Sequence, residues 1–223
     1  MRRARLCFLM LALSLASTPA VAETQLGLIG GLNFSNLRIE GANSLGVRTS
    51  FAAGGVVDVG LNDRFGIRIE PMFLSKGTKA TQRNAYWGTV DGAVFKLDYI
   101  NVPVLARIDL AASETRGYFV GGVSVGFATQ LEVELSQTGT TETVDFGDVF
   151  SPNDVSLDLG FGVSLPVGTN RMSFDGRAAI GLTEINEGGT VTFRGAPLAV
   201  PPTSTKTVDF RLFASYLFPL SRK

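Results

Sequence analysis

The chain has 223 residues, enough for one large β domain, and no shift in composition divides it. Glycine is abundant at 26 residues and charged residues are few at 18%, yet hydropathy is only mildly positive. That excludes a helical membrane protein built from runs of roughly 18 or more apolar residues, and the balance of 20 acidic against 20 basic residues gives no footprint for nucleic acid.

The first 22 residues read as a secretory signal. Arg2, Arg3 and Arg5 form a positive start, residues 6–16 an apolar stretch of about half a membrane span, and Ala20-Val21-Ala22 a cleavage site before Glu23. Cleavage removes the lone cysteine, Cys7, so no disulfide or thiol chemistry is expected in the mature chain, which becomes slightly acidic.

A period of two then repeats through eight expected strands. The first, 25–37, places Leu26, Leu28, Leu32 and Phe34 on one face and Gly27, Gly31, Asn33 and Ser35 on the other. The second, 49–61, sends Phe51, Ala53, Val57, Val59 and Leu61 one way and Ala52, Gly54, Asp58 and Gly60 the other. After a turn at Asn62-Asp63, the third, 64–75, opposes Phe65, Ile67, Ile69 and Phe73 to Arg68 and Glu70. In the fourth, 93–110, Ile100, Val102, Val104, Ala106 and Ile108 oppose Asn101, Pro103 and Arg107. Above Tyr99 the alternation reverses. This predicts a bulge, or Lys96 and Asp98 lying clear of a bilayer; Pro103, lacking an N–H, also predicts a bulge.

The fifth strand, 117–131, has Phe119, Val123, Val125, Phe127 and Leu131 against Gly122, Ser124, Gly126 and Gln130. The sixth, 155–165, is the most regular: Val155, Leu157, Leu159, Phe161, Val163 and Leu165 alternate with Ser156, Asp158, Gly160, Gly162 and Ser164. The seventh, 171–183, opposes Met172, Phe174, Ala178, Ile180 and Leu182 to Asp175, Arg177 and Thr183. The eighth, 207–220, opposes Val208, Phe210, Leu212, Tyr216 and Phe218 to Asp209, Arg211 and Ser215.

The sixth strand decides which face looks out. Asp158 at a bilayer midplane would cost on the order of 2–4 kcal/mol, whereas glycine and serine suit the cramped inside of a narrow barrel. The bulky face therefore points to lipid. Connections alternate: those at 62–63, 113–116 and 168–170 are short, and those at 40–46, 76–91, 132–154 and 184–206 are long and polar. This is the pattern of an eight-stranded antiparallel up-and-down transmembrane β-barrel, with tight periplasmic turns and large external loops.

The run LDYINVPVLARI at 97–108 resembles the hallmark strand of the PorT-like, or "porin family", outer-membrane β-barrel proteins. Tyr99, Ile100, Val102, Pro103, Leu105 and Arg107 carry the likeness, and GGLNFSNL at 30–37 and EPMFLSKG at 70–77 are similar to the same family. The resemblance implies a small, eight-stranded barrel in the outer membrane and no catalytic residues. At the C-terminus Arg211, Tyr216 and Phe218 partly match the signal read by the barrel-assembly machinery, with Phe213 where glycine is usual and residues 219–223 running past the aromatic.

Without histidine, Ser-His-Asp chemistry and imidazole metal ligands are excluded, and without a mature cysteine so are structural zinc and thiol nucleophiles. No catalytic residue, cofactor or metal site is expected. Asp145, Asp148 and Asp154, with Glu132 and Glu134, lack the spacing of a calcium loop and read as a solvated acidic loop. The inward charges are Asp58, Arg68, Glu70, Arg107, Asp158, Asp175, Arg177, Asp209 and Arg211. Both signs occur on neighbouring strands, so they are expected to pair and fill the lumen; the alternative is a charged constriction for solutes. Tyr86 and Trp87 at the loop end, and Phe65, Phe119 and Phe218 at the turn end, with Tyr118 as a further member, are expected as membrane-interface aromatics.

The function that follows is a non-enzymatic integral outer-membrane protein, structural or interacting through its long loops. A narrow solute channel is the alternative and a soluble lipocalin-like binder of apolar ligands the third reading. Expected partners are outer-membrane lipid, the barrel-assembly machinery during biogenesis and an extracellular partner for the loops.

Overall fold

Strands with one bulky face and one small face must bury one of them, and closing the sheet on itself removes its unpaired edges. The computed structural model describes residues 24–41, 45–80, 91–111 and 113–220 and does both. The expected signal segment, Tyr86 and Trp87 lie outside the described residues. Strands β1 (Thr24–Ile39), β2 (Leu45–Gly60), β3 (Phe65–Ile69), β4 (Met72–Ala80), β5 (Gly92–Asp109) and β6 (Arg116–Gln137) follow in order. Then come β7 (Thr140–Asp145), β8 (Asn153–Val167), β9 (Asn170–Gly181), β10 (Gly189–Phe193), β11 (Ala196–Val200) and β12 (Thr205–Pro219).

Every pairing is antiparallel, and β1 closes the ring by pairing with both β2 and β12. Going round, the staves are β1, β2, the β3–β4 pair, β5, β6, β8, β9 and β12, an eight-stranded barrel. The β2–β3, β5–β6 and β8–β9 turns share one end with Thr24 and Pro219, and the long connections share the other. Phe161, at 67% exposure, and Leu157, Leu159 and Ile180 stand on the outer surface, while Asp158 and Arg177 are enclosed. That orientation rules out the lipocalin-like reading, which needs the large residues inside.

Several expectations are corrected. The third stave breaks at Glu70-Pro71 and continues to Ala80 instead of ending at 75, which brings Lys76 from the expected loop into the barrel. Pro103 needs no bulge, for its register with Ser124 is continuous. Its missing N–H falls opposite the Glu70-Pro71 break, where the Glu70 N–H donates to the Pro103 carbonyl and nothing need return. Nor does β5 reverse its alternation: Ala93, Phe95, Leu97 and Tyr99 all stay inward with Asn101 and Arg107. The expected irregularity does fall at Asp98/Tyr99, but the extra residue is on the partner strand: in β6 Asp98 faces Gln130 and Tyr99 faces Ala128, leaving Thr129 over. The slip turns Leu131 inward and Gln130 outward, the reverse of what alternation from Phe119 predicts.

The long connections 132–154 and 184–206 are not simply polar loops. Strand β6 runs on to Gln137 and returns through Thr138-Gly139 as β7; β10 returns through Arg194-Gly195 as β11. Both central residues of each turn have positive φ, between 52° and 78°, as a two-residue hairpin whose twist matches its strands requires. One face of these hairpins is apolar. Val133, Leu135, Val144, Phe146, Val149, Phe150, Ile185 and Val191 pack with Phe95, Leu97 and Tyr99 into a core that caps the barrel's loop end. Phe146 stacks on Phe150 at 5.7 Å between centroids, and Phe95 meets Phe150 edge-on at 6.1 Å. The inner wall is not uniformly small or polar either: Ile29, Val56, Met72, Leu74, Phe213 and Leu217 form a buried apolar cluster along β1, β2, β4 and β12.

Candidate functional site: the charged lumen

Alternation turns every second residue into the barrel's interior, away from bulk solvent, so each charge there needs a partner. The structure places all nine expected lumen charges inside, none more than 6% exposed. They fall into two groups.

The group nearer the short turns is centred on Asp58 and Arg177. Asp58 Oδ2 accepts from Arg68 Nη2 at 2.7 Å and from Arg107 Nη1 at 2.6 Å. Tyr118, expected at the outer belt, is instead fully buried. Its hydroxyl donates to Asp175 at 2.8 Å, and the guanidinium carbons of Arg107 and Arg68 lie 4.5 and 5.1 Å from its ring centroid. Arg177 donates to Asp175 through Nε and to both oxygens of Glu70 through Nη1 and Nη2. Glycines make the room: a Cβ on Gly162 would lie 2.6 Å from Tyr118 Cζ, and one on Gly160 would lie 2.6 Å from Arg177 Cγ.

The second group lies nearer the cap. Arg211 donates to Asp158 at 2.6 Å and to Asp209 at 2.8 Å. Lys76 Nζ donates to Asp154 at 2.7 Å, lies 3.3 Å from Asp209 and sits over the Tyr99 ring. Thr207 and Ser124 hydroxyls donate to Asp154 and Asp158. Lys76 and Asp154 were missed by sequence reasoning. Asp154, read as part of a solvated acidic loop, is 1% exposed and takes the ammonium of Lys76. A signal for it existed: Asp154 sits two positions before Ser156, on the inward parity of its strand. Of the other acids in that reading, Asp145 and Asp148 are exposed and Glu134 pairs with Lys96. Among the described residues no cluster is placed to hold a metal.

Phe65, Phe119 and Phe218 stand on the outer surface, each about half exposed, beside the short turns. Phe218 packs edge-on with Tyr216 at 5.0 Å.

A closed eight-stranded barrel with an apolar outside and a paired-charge inside defines an integral outer-membrane protein. The model of the outer membrane protein β-barrel domain family matches residues 16–187, and the chain belongs to that family. No curated protein matches it. Solved structures to which it is similar include Ail, the attachment invasion locus protein of Yersinia pestis, at 14% identity, covering 88% of this chain and 99% of that one, with a TM-score of 0.43. OprG from Pseudomonas aeruginosa matches at 12% identity, covering 89% and 97%, with a TM-score of 0.47. Neisserial surface protein A matches at 11%, covering 85% and 95%, with a TM-score of 0.45.

Proposed function

We propose that this outer-membrane barrel is non-enzymatic, that its lumen charges serve as an internal plug, and that it acts through the hairpins and loops at its capped end. The observation that carries this reading is the saturated group around Arg177: Arg68, Glu70, Asp175 and Arg177 have no side-chain exposure and hold one another across the lumen. A solute would have to displace several buried ion pairs to pass. The ordered cap offers a firm surface to an extracellular partner, and the outer apolar face suits outer-membrane lipid. Phe65, Phe119 and Phe218 would anchor the turn end at the interface, with Tyr86 and Trp87 at the other. Export through cleavage after Ala22, assembly by the barrel machinery and membership of the PorT-like branch rest on the sequence motifs.

Planar-bilayer recording tests the plug. The wild-type protein is expected to give no steady conductance. A sustained open current from the folded wild-type barrel would replace the plug with a narrow channel.

A further inference from the structure

The two charge groups differ in how completely they are satisfied. Around Arg177 the carboxylates of Asp58, Glu70 and Asp175 meet the guanidinium groups of Arg68, Arg107 and Arg177, Arg107 also reaches Asp109, and none of these side chains has a fully buried polar atom without a partner among the described residues. Nearer the cap, the cationic partners of Asp154, Asp158 and Asp209 among the described residues are Lys76 and Arg211. Here several buried polar atoms lack a hydrogen-bond partner among the described residues: Tyr99 Oη, both amide atoms of Asn101, Asp209 Oδ1 and Arg211 Nε. None of these four residues is more than 2% exposed.

They share one level of the barrel. Tyr99 and Asn101 flank Gly126, whose cross-strand neighbour is Asp154, and a Cβ on Gly126 would lie 3.2 Å from Tyr99 Cδ1 and 3.4 Å from Asn101 Oδ1. Lys76 Nζ, 5.6 Å from the Tyr99 ring centroid, links Asp154 to Asp209, and Asp209 links to Arg211. Because Asn101 lacks partners on both its oxygen and its nitrogen, turning the amide over does not cure it. The unpartnered set mixes donors (Asn101 Nδ2, Arg211 Nε) with acceptors (Asp209 Oδ1, Asn101 Oδ1). A bare cation would satisfy only the acceptors and an anion only the donors; water satisfies both.

We propose that the middle of the lumen, between the Arg177 group and the aromatic cap, is a closed chamber that binds a small cluster of ordered water molecules through Tyr99, Asn101, Asp209 and Arg211. Buried polar groups in folded proteins are satisfied by protein or by such waters. The water is long-lived because the Glu70–Arg177 fork closes one end and Phe95, Phe146 and Phe150 close the other. This rests on the plug reading above, and the experiment separates the two.

The test is water-to-amide cross-relaxation on the protein in detergent micelles, labelled with nitrogen-15 at asparagine, read at the Asn101 side-chain NH2. Asn101→Asp assigns the signal. A cross-peak with the sign of long residence, made shorter-lived in Phe150→Ala, is the expected result. No cross-peak means a dry chamber and overturns the proposal while leaving the plug intact. A cross-peak with the sign of rapid exchange in wild type, together with steady conductance, overturns both. Tyr99→Phe gives an independent reading through the thermal midpoint. In a hydrated chamber the lost hydroxyl strands a water and lowers the midpoint; in a dry one it removes an unpaired polar group and raises it.

Discussion

The guanidinium of Arg177 grips both carboxylate oxygens of Glu70, 107 positions earlier, at 2.5 and 2.8 Å, and neither side chain is exposed. The fork ties β9 to the break between β3 and β4, across the lumen and not along the sheet. Buried charges of this kind are weak evidence of net stability, but each member has become indispensable to the others.

Arg177→Ala leaves Glu70 only the Arg68 guanidinium, 3.9 Å away, and strands the Arg177-facing oxygen of Asp175, so it is expected to cost about 3–5 kcal/mol. Replacing the pair together, as Arg177→Met with Glu70→Leu, is expected to restore most of that loss. Chemical unfolding of the barrel in lipid vesicles, followed by the gel shift between folded and unfolded forms, measures both. Equal loss in the single and double variants would show that the pair does more than neutralise itself.

Gly162→Ala sets a methyl 2.5 Å from the Phe174 carbonyl and 2.6 Å from Tyr118 Cζ. Tyr118 must then shift and weaken its bond to Asp175, at an expected cost of about 1–3 kcal/mol. At Gly30, where the nearest atom to an added Cβ is 3.7 Å away, the same change is expected to stay within about 0.5 kcal/mol. The two midpoints, compared in one detergent, are the check.

On the outer surface, Leu159 lies at the middle of its strand and Phe65 beside a short turn. Leu159→Arg is expected to destabilise the inserted barrel by about 2–4 kcal/mol and Phe65→Arg by about 0–1 kcal/mol, following depth in the bilayer. Reversible folding into thin-bilayer vesicles reads the difference. A penalty independent of depth would count against the bulky face meeting lipid.

Phe150 is 5% exposed and packs against both Phe95 and Phe146 in the cap. Phe150→Ala is expected to cost the cap about 3–5 kcal/mol, yet β8 and β9 keep their ladder without it. Limited proteolysis is therefore expected to cut within 137–152 while the remaining barrel keeps its folded gel mobility. Loss of both together would mean that cap and barrel fold as one cooperative unit.

Much of this was legible in the chain because a strand's faces alternate. Asp158 between Leu157 and Leu159, Arg177 two positions from Asp175, and Asp209 two positions from Arg211 are placed by parity alone, whatever their neighbours. The hairpin turns Thr138-Gly139 and Arg194-Gly195 were also visible, flanked by Val133, Leu135 and Val144 in one case and Val191, Phe193 and Leu198 in the other. Their other face is polar, so composition alone does not tell these hairpins from solvated loops.

Parity fails where the register slips, and a slip is an agreement between two strands. Thr129 shifts β6 against β5, and the sequence of neither strand alone says which one yields. Which acid meets which base is likewise a property of the closed ring. Glu70 faces Arg177 because β3 and β9 stand across the lumen, and Lys76 reaches Asp154 because the stave continues past Pro71. The sequence by itself determined the eight staves, the outward face and nine of the buried charges, because those follow from local alternation and the cost of charge in lipid. Only the tertiary structure decided their partners, the aromatic cap and the unpaired polar level beneath it, since closure of the barrel brings together side chains far apart in the chain.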